Sequence, residues 1–336
     1  METSQIKVKS DVLLSIANDL KKLKNISGFA VITDSKVKSL YGGKLLWNLR
    51  HAGLKAEILS FPQGEKSKTF PTVETLSNQM VEKGFDRDSC VIALGGGVVN
   101  DLAGFVSSIY MRGIPVIQIP TTLLAMIDSS IGGKTGVNLN SGKNLIGTFH
   151  QPLAVFIDPY FLKTLPIKQI RNGLAEAIKY GIIRSRTLFN FIDKNLEKIL
   201  KLDQKILKRL IENCVKIKTE IVEKDEKEKG IRQILNYGHT FGHAMEKQSN
   251  YTLLHGFAIS LGMVLANRIA VEKNILKQHD SDCIKNLLKK TGLPVYTMHK
   301  PTLKDVQNDK KKHEKSINFI LPTRIGEVII HKIKIT

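Results

Sequence analysis

The segment Asn236-Tyr237-Gly238-His239-Thr240-Phe241-Gly242-His243 sets two imidazoles four residues apart, and His255 follows between Leu254 and Gly256. On a helix His239 and His243 share one face, a spacing that divalent-metal sites use because both rings can converge on one ion. Upstream, Ala175-Glu176-Ala177-Ile178-Lys179-Tyr180 puts a carboxylate on an otherwise apolar helix. Two histidines and a carboxylate with one coordination place open form the catalytic zinc arrangement. Spacing alone does not choose which three of Glu176, His239, His243 and His255 ligate, and a lone helical histidine is usually structural, whereas three clustered with a carboxylate read as a metal site.

A second chemistry lies earlier in the chain. Ser89-Cys90-Val91-Ile92-Ala93-Leu94 has the apolar, β-branched character of a buried parallel strand and ends on Gly95-Gly96-Gly97. Val98 to Phe105 continue at helical spacing, so the glycines sit where free amides and the positive helix end favour a pyrophosphate. The run is not Gly-x-Gly-x-x-Gly, and a plain βα turn is the competing reading. Next, Pro115 to Pro120 read as another buried strand delivering Thr121 and Thr122. Asp128 to Thr135, with Lys134, and then Lys143-Asn144 follow. Lysines among glycines and hydroxyls make a phosphate or carboxylate pocket, against the alternative of solvated surface lysine.

The elements that must position these groups alternate at first. Ile6 to Val8, Phe29 to Ile32 and Glu57 to Ser60 read as strands separated by helices, which argues a parallel sheet with ligands at its carboxyl end. Asp34 stands at one such end, as a ribose-hydroxyl acceptor or as a helix N-cap. Glu65 and Lys68 follow a third strand, as cofactor contacts or an ordinary turn. After Ala154 to Asp158 the pattern turns helical. The expected fold is therefore an α/β nucleotide-binding domain, 1–162, followed by a mostly α-helical domain, 163–336. Helices are expected near 168–181, 185–200, 203–226, 231–248, 254–274 and 280–290, with a closing hairpin of 317–321 and 327–330. Lys310-Lys311-Lys312 read as surface charge.

The chain has 336 residues, 42% of them hydrophobic, enough for two domains with large cores. Lys and Arg outnumber Asp and Glu by 51 to 31, for a net charge of +20 and a pI near 9.7. That excess is spread along the chain and few aromatics interleave with it, which argues against nucleic-acid binding. Three distant cysteines, Cys90, Cys214 and Cys283, suit free thiols in a reducing cytoplasm. No apolar run approaches a membrane span.

Taken together, the chain resembles the 3-dehydroquinate synthase family, NAD-dependent sugar-phosphate cyclases of the shikimate pathway. The resemblance rests on Gly95 to Phe105, Pro120 to Ala125, Asp128 to Thr135, Gly142 to Gly147, Ala175 to Gly181, Leu235 to His243 and Leu254-His255-Gly256, in order along nearly the whole chain. It implies zinc, or cobalt, on Glu176, His239 and His255, leaving His243 as a nearby proton-handling or hydrogen-bonding group. It implies NAD held by Asp34, Glu65, Lys68, Gly96, Gly97, Asp101, Thr121 and Thr122, with Lys134, Lys143 and Thr164 alongside. The sugar phosphate would meet Asp128, Lys134, Lys143, Asn144, Lys179, Lys218, Arg232, Asn236, His243 and Lys311, with Arg112 reaching across a homodimer. Among these, His243, Lys134, Lys179, Arg232 and Asn236 are the catalytic set. Another sugar-phosphate cyclase, or a metal-dependent polyol dehydrogenase, is the alternative. Two positions depart from the family pattern, Asn100 for glycine and Phe257 for an acidic residue. Asparagine tolerates positive φ, so the glycine turn is expected to survive.

Overall fold

The β-branched runs of the first half assemble into one parallel sheet in the computed structural model, which describes residues 5–297 and 316–334. The chain divides into two compact units, Met1–Leu165 and Pro166–Thr336.

In the first unit the order is β1 (Gln5–Val8), α1 (Val12–Leu20), β2 (Phe29–Asp34), α2 (Ser35–Val37), α3 (Gly43–His51), β3 (Ala56–Phe61), α4 (Phe70–Glu82), β4 (Cys90–Gly95), α5 (Gly97–Ile109), β5 (Val116–Pro120), β6 (Lys134–Leu139), β7 (Gly142–Phe149) and β8 (Ala154–Ile157). Six strands pair in the order β1-β8-β5-β4-β2-β3, all parallel. Every residue of β2, β4 and β5 is buried, as expected of strands covered by helices on both faces. The chain runs outward from β2 to β3, crosses back to β4 and then goes the other way. That reversal places the ligand crevice of this fold class at the carboxyl ends of β2 and β4. Thr33 stands opposite Leu94 and Gly95 opposite Pro120, so Asp34, Gly95 and Thr121 emerge along one edge.

The antiparallel hairpin β6–β7 was not expected from the sequence, where these residues read only as lysines among glycines and hydroxyls. Glycines weaken strand signals, yet here they are needed: a Cβ on Gly147 would lie 1.9 Å from the Thr135 carbonyl oxygen. Asn100 corrects a reason and not an outcome, since the glycine turn into α5 stands as expected. It lies inside α5, not in a positive-φ turn, and its buried amide donates to Gln118 of β5. Backbone tolerance therefore does not explain it. The first unit also extends past 162, because Asp158 caps the 3₁₀ turn Pro159–Thr164 through the Tyr160 amide (2.9 Å) and accepts from Val12 of α1 (3.0 Å).

The second unit holds α6 (Ile167–Arg184), α7 (Arg186–Leu200), α8 (Gln204–Lys224), α9 (His239–Gln248), α10 (His255–Glu272) and α11 (Gln278–Lys290), closed by the antiparallel hairpin β9 (Ser316–Arg324) and β10 (Glu327–Lys334). The expected helix over 231–248 is two elements, a 3₁₀ segment at Ile231–Asn236 and α9. Gly238, at φ 80°, breaks them apart in the left-handed region that favours glycine. The hairpin is longer than expected and includes Pro322, which pairs with Val328 next to a register shift. Among the described residues no helix is long and apolar enough to cross a membrane.

Candidate active site

Local sequence explains how three helices of the second unit meet. Gly238 allows the turn into α9, and Gly262 of α10 lies so close that a Cβ there would stand 1.9 Å from the Gly238 carbonyl oxygen. Asn172, one turn before Glu176 on α6, accepts the Gly256 amide at 2.7 Å and so caps the start of α10. Glu176, His239 and His255 are thereby brought together, 63 and 79 residues apart in sequence.

Glu176 is fully buried. Its Oε1 lies 3.8 Å from His239 Nε2 and 3.6 Å from His255 Nε2, and the three donor atoms all fall within 4.8 Å of one another. Tetrahedral ligation at ordinary zinc bond lengths sets ligand atoms about 3.4 Å apart. A carboxylate facing two ring nitrogens at nearly that spacing fits a divalent ion, so these residues can hold one. His239 Nδ1 faces the Tyr237 carbonyl at 3.2 Å, which turns Nε2 toward Glu176. Burial, with Lys179 and the other two imidazoles near, holds His239 well below its usual range and keeps the ring neutral as a ligand must be. Burial would lower His255 too, but the carboxylates of Glu176 and Glu246 on either side outweigh it and raise it to about 10.

His243 stands edge-on to His239, ring centroids 5.3 Å apart, and groups with Glu246 and His255 instead of joining the three-ligand set. Lys179 is buried, pairs with Glu176 and donates to the Leu235 carbonyl at 2.8 Å. Arg232 is buried and donates to the Glu226 carbonyl, while Asn236 donates to Glu228 at 2.6 Å. Lys218 is buried one turn after Cys214, whose thiol is pushed up by burial and by the Glu176 charge. Phe257 lies under the Lys168 ammonium, 5.9 Å from the ring centre. Lys311 lies outside the described residues.

In the first unit the glycine turn meets the start of α5. A Cβ on Gly95 would collide with Val99 at 2.4 Å, and one on Gly96 would meet Thr122 at 3.0 Å. Gly96, the N-cap, has no side chain to offer, so the first amides of α5 are left for a ligand. This cradle fits a pyrophosphate. Lys68, 3% exposed, bridges Asp101 and Asn144. Burial raises the Asp101 carboxyl against the pull of Lys68, with the charges of Glu65 and Asp128 adding to the rise. Asn138 links the same group, donating to Glu65 at 2.7 Å and accepting the Asn144 amide at 2.9 Å. Thr121 donates its amide to the Gly95 carbonyl and Thr122 accepts from Ala125. Asp34 caps α2 with one oxygen, taking the Lys36 and Val37 amides at 2.9 Å. Thr164 pairs with the Tyr41 hydroxyl. Lys134 stands opposite Phe149, while Lys143 lies beside the hairpin tip where Leu139 faces Gly142. The two lysines thus lie toward opposite ends of the hairpin, their backbones about 15 Å apart along it. Arg112 is exposed, at φ 75°.

Sequence reasoning missed Glu246, Asn172, Asn138 and Tyr41. Glu246 alone carried a signal, seven residues after His239 and three after His243 on one helix face.

Two family models match the sequence. The N-terminal model of 3-dehydroquinate synthase matches residues 58–172 and its C-terminal model residues 173–312. The 3-dehydroquinate synthase of Prochlorococcus marinus (strain MIT 9515) is 44% identical, over 97% of this chain and 92% of that protein. Among solved structures, the 2-epi-5-epi-valiolone synthase of Streptomyces hygroscopicus subsp. jinggangensis 5008, with NAD+ and Zn2+ bound, is similar at TM-score 0.91 and 28% identity, covering 100% of this chain and 94% of that one. A 2-deoxy-scyllo-inosose synthase complexed with carbaglucose-6-phosphate, NAD+ and Co2+ follows at 0.89 and 29%, covering 98% and 93%. With both family models matched across its two units, the chain belongs to the 3-dehydroquinate synthase family.

Proposed function

We infer that this chain converts 3-deoxy-D-arabino-heptulosonate 7-phosphate to 3-dehydroquinate and inorganic phosphate, as a phosphate-eliminating carbon–oxygen lyase of the shikimate pathway. The observation that carries the reading is the convergence of Glu176, His239 and His255 in a chain of this family. When bound, NAD supplies a reversible hydride acceptor and zinc or cobalt a Lewis acid for a substrate oxygen.

The first unit is the NAD-binding domain in this reading. The first amides of α5 take the pyrophosphate, Asp34 with its second oxygen the ribose, and Glu65, Lys68, Asp101, Thr121, Thr122 and Thr164 complete the cradle. The second unit holds the metal on Glu176, His239 and His255. Lys179, Lys218 and Arg232, already fixed by burial, and Asn236 hold the anionic groups of the substrate, so the work is positioning and electrostatics. Lys134, Lys143, Asp128 and Asn144 are further candidates for binding its anionic and hydroxyl groups. A ring nitrogen of His243 takes up and returns a proton. The protein acts as a homodimer in the cytoplasm, with Arg112 offered to a second copy; three free cysteines fit a reducing compartment.

The test is phosphate release from the heptulosonate phosphate by metal-loaded protein with NAD, with and without chelator, with dehydroquinate identified as product. Chelator-sensitive release is expected. Release only from other sugar phosphates, or oxidation of glycerol without phosphate release, overturns the reading in favour of a sister cyclase or a polyol dehydrogenase.

A further inference from the structure

His255 is flanked by two carboxylates, and only one of them belongs to the metal set. Its Nε2 faces Glu176 Oε1 at 3.6 Å, and its Nδ1 faces Glu246 Oε2 at 3.4 Å from the opposite side. Glu246 is buried on α9, two turns after His239, so the helix that brings one ligand also brings a carboxylate to the back of another. The Tyr237 carbonyl does the same for His239 at 3.2 Å. Both rings are therefore held by Nδ1, one by a dipole and one by a full charge, and both present Nε2 to Glu176.

Resting on the assignment of Glu176, His239 and His255 as metal ligands, we propose that Glu246 is a positioning residue, which fixes His255 as an Nε2 ligand by accepting a hydrogen bond from its Nδ1–H and adds negative charge behind the site. An imidazole that donates to a carboxylate is a more basic ligand, and loss of such a partner costs 10 to 100-fold in metal affinity. Glu246 touches neither substrate nor cofactor in this role. Its loss weakens the metal, not the chemistry at saturating metal.

The test uses the full chain, stripped by chelator and titrated with Co2+, whose visible absorption reports the ligand set. Glu246→Gln keeps size and removes charge. It is expected to weaken Co2+ binding at least tenfold and to alter the cobalt spectrum, with the thermal midpoint of the metal-free protein unchanged and kcat recovered at saturating metal. His239→Ala serves as control and is expected to abolish the spectrum. Glu246→Gln binding within threefold of the parent, with an unaltered spectrum, overturns the role of Glu246 while His239→Ala still confirms the ligands. If His239→Ala keeps the cobalt, the ligand assignment fails and this role fails with it. Should Glu246→Gln not fold, ¹⁵N spectra of the zinc-loaded parent decide: metal on Nε2 and a proton on Nδ1 of His255 are expected, and metal on Nδ1 refutes the proposal.

Discussion

Asn172 offers a direct test of how His255 is delivered to Glu176. Its Oδ1 accepts the buried Gly256 amide at 2.7 Å, the first-turn donor of α10, while its Nδ2 donates to Gln169 at 3.2 Å. Asn172→Ala strands that amide in the interior. An unsatisfied buried donor costs about 1–3 kcal/mol and a lost N-cap about 0.5–2 kcal/mol; these describe the same bond, so about 2 kcal/mol is the working figure. At roughly 2–4 °C per kcal/mol for a domain of this size, the thermal midpoint falls by about 4–8 °C. Gln169→Ala removes only the weaker, more exposed bond and is expected to shift the midpoint by under about 1.5 °C. Scanning calorimetry on the two variants, with hydrogen exchange at the Gly256 amide, makes the measurement. Because the cap sets where His255 begins its helix, Co2+ affinity falls together with stability. A midpoint for Asn172→Ala equal to that of Gln169→Ala, with unchanged exchange at Gly256, refutes the reasoning.

Three other outcomes follow from the packing. Gly262→Ala places a Cβ 1.9 Å from the Gly238 carbonyl oxygen and 3.0 Å from the Gly242 amide nitrogen, forcing α9 from α10; a loss of at least about 3 kcal/mol and of the cobalt spectrum is expected, and a retained spectrum contradicts it. Lys68→Met leaves Asp101 without its ammonium and Asn144 without its donor. About 3 kcal/mol of stability is lost and NAD binding, read by quenching of nucleotide fluorescence in the reduced form, weakens, whereas unchanged affinity removes Lys68 from the cradle. Burial pushes up the thiols of Cys90 and Cys214, so the folded protein should react with an aromatic disulfide reagent at Cys283 alone and at all three cysteines after denaturation; fast labelling at Cys90 argues for an open sheet.

The parallel sheet was legible because β2, β4 and β5 are unbroken apolar runs of strand length, and their ends pointed to the crevice. The hairpin β6–β7 was not, since Gly136 and Gly147 occupy the positions where the strands press together and carry no strand signal of their own. Spacing singled out the histidines but paired His239 with His243; helix geometry alone cannot express the Tyr237 carbonyl that turns one ring, or the Asn172 cap that brings in His255. The resemblance supplied that selection. Lys68, Asp101 and Asn144 span 76 residues of sequence and meet only through tertiary structure, so no local pattern connects them.

In the proposed function the net charge of +20 and the buried cations would act on the anionic substrate in separable ways. A solvated lysine surface raises the encounter rate through a long-range field that salt screens. Lys179, Lys218 and Arg232 are 1%, 5% and 2% exposed, so salt screens their contacts with a bound anion far less than it screens the surface field. Raising ionic strength from about 0.01 to 1 M shortens the screening length from about 30 to 3 Å. Association of an unreactive phosphonate analogue should then slow, while its dissociation rate stays nearly constant, because the contacts that retain it are buried. Stopped-flow measurements separate the two. A dissociation rate that climbs in step with salt would move recognition from these three residues to the exposed lysines, and the burial of the three cations would have to serve the fold instead.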